Sequence, residues 1–143
     1  MLFKKTGILG INARNLLYIR PYNEEKAIKI ADDKLKTKAF LSARGIPVPK
    51  LYNSISSVLE LNKFNFSKLN NSFVVKPNLG YGGEGIIPII SKTKTEFTTI
   101  DEKKLSTDEL KEHINEILSG IYSLNNAKDS AFFEQLIIAD DRL

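Results

Sequence analysis

Half of the eight glycines in this 143-residue chain fall within six residues, at Gly80, Gly82, Gly83 and Gly85. Backbone without side chains can lie close against a ligand, and successive N–H groups suit phosphate oxygens. The spacing is G-x-G-x-x-G, whose meaning depends on what flanks it. A dinucleotide-binding turn runs from strand into helix. This loop runs into Ile86-Ile87-Pro88-Ile89-Ile90, a β-branched strand with Pro88 at a bulge or edge. No Gly-Lys-Ser or Gly-Lys-Thr follows the glycines, which excludes a Walker A loop. A kinase loop places its lysine on the next strand and continues to H-R-D and D-F-G, neither of which is present. Here the lysine comes first, in Val74-Val75-Lys76-Pro77. A strand–loop–strand hairpin lying over phosphates remains, with a plain glycine-rich hairpin as the alternative.

Lys76 ends an apolar run, where strand alternation points it inward. A buried ammonium is costly without an anion, and a phosphate would supply one. Lys34 follows Asp32 and Asp33 at a helix start, where the helix dipole disfavours a cation. Either an anionic ligand or a solvated pairing with Asp32 or Asp33 accounts for it. His113, the one histidine, lies beside an apolar helix stripe and reads as a boundary packing residue.

These residues need elements to hold them. A short helix is expected around Ala13–Ile19, and another over Glu24–Ile30 capped by Asn23. Helix formers run from Lys34 to Arg44, between an acidic start and Gly45, with Ile46 suited to the apolar contact of a Schellman end. Ser57 and Glu60 announce a short helix, and Ser106 with Glu109 a capping box. Leu110, Ile114, Ile117, Leu118 and Ile121 then form one apolar stripe, with Gly120 near the helix end. Strands are expected at Ser72–Lys76, Ile86–Ile90, Glu96–Ile100 and Ala131–Ile138. Helices and strands in this mixture indicate an α+β or α/β fold.

The motifs taken in order resemble the ATP-grasp superfamily. They are Asp32-Asp33-Lys34-Leu35-Lys36-Thr37-Lys38, Gly45-Ile46-Pro47-Val48-Pro49, Phe73-Val74-Val75-Lys76-Pro77, Gly80-Tyr81-Gly82-Gly83-Glu84-Gly85-Ile86 and Phe133-Glu134-Gln135-Leu136-Ile137. The opening Gly7-Ile8-Leu9-Gly10-Ile11-Asn12 and the stretch from Ile117 to Leu124 look like the alpha-L-glutamate ligase-related, or sugar-transfer-associated, branch. The resemblance implies an α+β ATP-grasp fold, with a helical or irregular region over residues 1–31. A partial ATP-grasp domain over 32–143 carries the glycine-rich hairpin as a lid.

By that resemblance Lys34 and Lys76 contact ATP phosphates and Val74 walls the adenine pocket. Gly80, Tyr81, Gly82, Gly83, Glu84 and Gly85 fold over the phosphates. Glu134 lies near the adenine amino group on the hinge strand, and backbone around Gln135, Leu136 and Ile137 meets the adenine edge. Asp140-Asp141-Arg142 resembles a family Asp-x-Arg motif, with an ordinary loop as the alternative. The family's magnesium ligands, its catalytic arginine and hence its catalytic groups are expected beyond Leu143, with no metal ligand assigned within the chain. The implied activity is ATP-dependent carboxylate–amine ligation, of glutamate in the named branch, through an acylphosphate. On this reading the chain is the N-terminal part of a ligase, inactive alone, whose last strand lacks partners and exposes a sheet edge. The partners implied are ATP, Mg2+ and a small carboxylate and amine.

Composition narrows the field further. With no cysteine, disulfide frameworks, thiolate metal sites and cysteine nucleophiles are excluded. A single histidine argues against a Ser-His-Asp triad or a multi-histidine metal site. No apolar run reaches the roughly 20 residues of a membrane span, and the N-terminus lacks signal-peptide order, so a cytoplasmic setting is expected. Net charge is +4, split into +8 over residues 1–70 and −4 over residues 71–143. The basic half would attract an anionic ligand or nucleic acid, or simply present solvated helix faces. It lacks the aromatic and basic interleaving of RNA-binding sheets, which argues against a nucleic-acid partner. A nucleotide-binding module without ligase activity and a basic nucleic-acid-binding module are the rival readings.

Overall fold

The computed structural model describes residues 8–139. A helical run opens it: α1 (Ile11–Arg14), a wider π-type turn over Asn15–Ile19, and α2 (Arg20–Tyr22). Then comes α3 (Glu25–Ala31), and none of these segments buries a residue. Asn23 does not cap α3 as expected. Its Nδ2 instead donates to the Ile19 carbonyl at 2.8 Å, satisfying the end of the preceding helix, and Glu24 occupies the cap position.

The next helix, α4 (Lys34–Ser42), begins where its aspartates predict. Asp33 Oδ1 accepts from Lys36 N at 2.8 Å. The turn that follows it closes at Gly45, where φ is +72° and Ile46 N donates to Leu41 O at 3.1 Å, the long bond of a Schellman end. Ile46 itself stays exposed.

Six strands form one antiparallel sheet: β1 (Leu51–Ile55), β2 (Phe73–Pro77), β3 (Ile87–Lys92), β4 (Glu96–Thr99), β5 (Lys104–Ser106) and β6 (Ala131–Glu134). Their spatial order is β1-β6-β2-β3-β4-β5. The last strand therefore does not lack partners: β6 lies inside the sheet between β1 and β2, and the edges are β1 and β5. It stops at Glu134, not at Ile138, and Ile137 and Ile138 are exposed. Pro88 sits opposite Val74 in the ladder. Its carbonyl accepts from Ile100 N beyond the end of β4, next to a register shift between Ile89 and Ser91.

Two more helices cover one face of the sheet. In α5 (Val58–Lys63), Ser57 accepts from Glu60 N as expected. In α6 (Thr107–Ser119), Ser106 and Glu109 form the capping box and Gly120 closes the helix at φ +88°. A Cβ on Gly120 would lie 2.4 Å from the Ala127 carbonyl oxygen, so the turn needs glycine twice over. Leu110, Ile114, Ile117 and Leu118 are buried, but Ile121 lies past the helix end and is exposed, which removes it from the stripe. The core joins Phe73, Val75, Ile89, Phe97, Ala131 and Phe133 of the sheet to Leu61 and the α6 stripe. Phe133 stacks on Phe64, with ring centroids 5.1 Å apart, and Phe66 and Phe73 meet its ring edge-on. Strand alternation turns Val74 and Phe132, which are also buried, to the opposite face.

Candidate functional site

That opposite face carries the predicted chemistry. Val74 lies directly across from Glu134, and Lys76 across from Phe132, so all four side chains share one side of the β2–β6 pair. Helix α4 supplies two further lysines, Lys34 and Lys38, one turn apart on the same stripe.

Glu134 is 95% removed from solvent and its two oxygens are divided between two ammoniums. Oε1 is 2.6 Å from Lys76 Nζ and Oε2 is 2.6 Å from Lys38 Nζ. The anion that partly buried Lys76 requires is thus Glu134. Lys38 also donates to the Pro49 carbonyl at 2.6 Å.

Lys34 does not pair with Asp32 or Asp33. Its Nζ donates to the carbonyls of Asn78, at 3.2 Å, and Gly80, at the foot of the glycine loop. Asp33 pairs with Lys36 instead, at 2.9 Å. Burial lowers the Lys34 ammonium below the usual lysine range, against the attraction of Asp129; the nearby Lys76 charge lowers it further.

The loop stem is fastened from both sides. Asn78 Oδ1 accepts from Leu35 N at 2.8 Å, so the exposed donors at the α4 N-terminus are spent on protein. Asn78 N donates to Ser130 O at 2.9 Å. Asp129, buried, accepts from Leu79 N on both oxygens, at 3.0 and 2.9 Å, and from Ser123 Oγ at 2.8 Å. Gly80 makes a bridge to Ser123, and a Cβ there would fall 2.3 Å from Pro77 Cγ. At the other end His113 Nε2 lies 2.9 Å from Gly85 O, and the Tyr122 ring packs so closely under Gly85 that a Cβ would sit 2.7 Å from it. Between these anchors Tyr81, Gly82, Gly83 and Glu84 are exposed. Gly82 and Gly83 have φ of +64° and +82°, with open space where a Cβ would go. The arrangement is a loop held at its ends and uncovered in its middle.

Past the hinge, Gln135 N donates to Lys50 O at 2.8 Å and its side chain accepts from Lys50 N. That donor is committed to the end of the β1–β6 ladder. Leu136 is half-buried and Ile137 exposed. A groove of about 490 Å³ lies between α4 and β1, lined by Leu35, Lys38, Ala39, Val48 and Leu51 among others. A larger cavity of about 690 Å³ along β1 and α5 includes none of Lys34, Lys38, Lys76 or Glu134. Asp140 and Asp141 lie outside the described residues.

Comparison with known families decides what this arrangement belongs to. The family described as sugar-transfer associated ATP-grasp matches residues 13–143. The chain belongs to that family. Membership implies ATP-dependent, ligase-type activity and general use of ATP and Mg2+. Comparison with curated proteins and with solved structures gave no match. Among the described residues no three His, Asp or Glu side chains converge. No helix among them is long and apolar enough to cross a membrane.

Sequence reasoning named Lys34, Val74, Lys76 and Glu134, and the fold brings these onto one face. It quoted Lys38 in the α4 motif without giving it a role, and it passed over Asn78 and Asp129. The i, i+4 spacing of Lys34 and Lys38 was the available signal for the first. Asp129 acts on Leu79 across 50 positions and has no local signal at all.

Proposed function

We propose that this chain binds ATP for a carboxylate–amine ligation. The observation that carries the reading is the gathering of three partly buried ammoniums beside the glycine loop: Lys34 on the Asn78 and Gly80 carbonyls at its foot, and Lys38 and Lys76 on the single carboxylate of Glu134, a surplus of positive charge that an anion would offset. Lys34 and Lys76 would contact the phosphates, and the amides from Gly80 to Gly85 would close over them. Val74 would wall the base. Glu134 would accept from its amino group, with backbone at Leu136 and Ile137 along its edge. These groups position and stabilise charge; none is a covalent nucleophile.

The chemistry balances as two displacements. A substrate carboxylate oxygen attacks the γ-phosphorus and ADP leaves, giving an acylphosphate. An amine nitrogen then attacks the acyl carbon, inorganic phosphate leaves, and the nitrogen loses a proton to give the amide. Glutamate is the first carboxylate or amine to test, from the branch to which the motifs point.

Calorimetric titration with ATP tests the binding step. The wild-type chain is expected to bind ATP, and Lys76→Met to weaken binding by roughly tenfold or more with its circular dichroism unchanged. Absence of ATP binding in the wild type, or equal affinity in Lys76→Met, overturns the reading. Release of ADP dependent on both a carboxylate and an amine separates a ligase from a module that only binds nucleotide.

A further inference from the structure

Glu134 has one carboxylate and two lysines, and the two lysines are not equivalent. Lys38 is the more enclosed, its side chain 12% exposed against 28% for Lys76. Lys38 has a second acceptor in Pro49 O, which holds its ammonium in place. Among the described residues Lys76 has Glu134 as its one partner, so two of its three N–H donors stay free for a further acceptor. A buried carboxylate that loses its only cation is left uncompensated, at a cost of several kcal/mol. With Lys38 fixed on Oε2, that loss does not follow when Lys76 moves.

We propose that Lys38 is a positioning residue: it keeps Glu134 paired so that Lys76 can turn from that carboxylate to a phosphate. The proposal rests on the nucleotide reading above and adds a residue to it. Helix α4 would then serve the site twice, with Lys34 at the loop stem and Lys38 four residues on at the hinge strand. Lys38 acts through Glu134 and touches no nucleotide.

The test compares ATP with adenosine, which has the base but no phosphate, by calorimetry on wild type, Lys38→Met and Lys38→Arg. Lys38→Met is expected to lower ATP affinity by roughly tenfold and to leave adenosine affinity unchanged, with Lys38→Arg close to wild type. Equal losses for ATP and adenosine would mean a merely structural role and overturn the proposal. A second comparison sets Glu134→Gln against Lys38→Met/Glu134→Gln; the double variant removes one charge of each sign, which keeps the measurement possible if Lys38→Met alone does not fold. There the removal of Lys38 is expected to change ATP affinity by less than about threefold. A tenfold loss in that background would show direct phosphate contact and overturn the proposal. Wild type that binds ATP while Lys38→Met matches it sinks this inference alone. Wild type that binds no ATP sinks the nucleotide reading and this inference with it.

Discussion

The two faces of the sheet are built from the same strands and differ in what crosses them. On one, Phe73, Val75, Ile89 and Phe133 meet the apolar sides of α5 and α6, and contact is by shape alone. On the other, Val74 and Phe132 alternate with Lys76 and Glu134, and α4 lies across them through charged and carbonyl contacts. An apolar face is stabilised wherever its partners fit. A face of paired ions gives less net stability for the same area, since desolvation offsets most of the attraction. It also exposes groups with unspent donors. The helix that covers it, α4, buries no residue fully, whereas α6 buries four. The molecule thus keeps its stability on one side and its chemistry on the other.

Truncation on each side measures that division. Phe133→Ala, which removes the ring stacked on Phe64, is expected to cost about 3–5 kcal/mol in denaturant unfolding. Glu134→Ala leaves Lys38 and Lys76 facing each other without an anion and is expected to cost roughly 3 kcal/mol. The informative variant is Lys38→Met and Lys76→Met with Glu134→Leu. Replacing the three together by apolar groups should restore much of what Glu134→Ala loses, because the ions are there for a ligand and not for stability. If the triple variant is as unstable as Glu134→Ala, the two faces do not differ in the way described.

How far this division was legible in the sequence follows from the range over which each residue acts. The α4 start, the capping box at Ser106 and Glu109, and the turn at Gly120 are set by neighbours within four positions, and they read correctly. The pairing of Val74, Lys76 and Glu134 needed the motif resemblance, since period two alone does not place β6 beside β2. Edge strands β1 and β5 were missed. The first carries Asn53 and Ser54 in its middle and the second is three residues long, so neither shows a β-branched run. The apolar stretch after Glu134 read as more strand, but β1 begins opposite Glu134, at Leu51, and past that pair Gln135 meets only Lys50. Lys38 was given no role because nothing within reach along the chain marks it: its carboxylate lies 96 positions on.

A smaller effect belongs to the helix that covers the charged face. Asp33→Ala is expected to cost about 1 kcal/mol by uncapping α4, with Asp33→Asn retaining most of the cap. Burial pushes the Asp33 carboxyl up, but hydrogen bonds from Lys36 N, the Lys36 side chain and Asn78 outweigh it and hold it below its ordinary 3.8. A lowered folded value means stability that is present above the unfolded value and lost as pH falls through the folded one. Acid unfolding of the wild type should show this loss, and Asp33→Asn should lack it. An identical acid limb in both would mean that the cap does not secure α4 over the ionic face.

The smallest expected effect is alkaline and reads the loop anchor directly. Burial, the 2.6 Å hydrogen bond to Glu116, and the charges of Glu116 and Glu84 raise the Tyr122 phenol to about 12. A phenol raised in the folded state favours folding below the ordinary tyrosine value, and that contribution fades as pH climbs to about 12. Ultraviolet titration should show one tyrosine ionising at about 12 and lose it in Tyr122→Phe, which keeps the ring beneath Gly85 and removes only the hydroxyl. Glu84 is on the exposed part of the loop, so its substitution by Gln should move the same titration downward by a little. A titration that ignores Glu84→Gln would place the loop away from Tyr122 and make the glycine hairpin independent of α6. It would then be hinged only at its stem, on Asn78 and Asp129, and the apolar side of the sheet would have no hold on the lid.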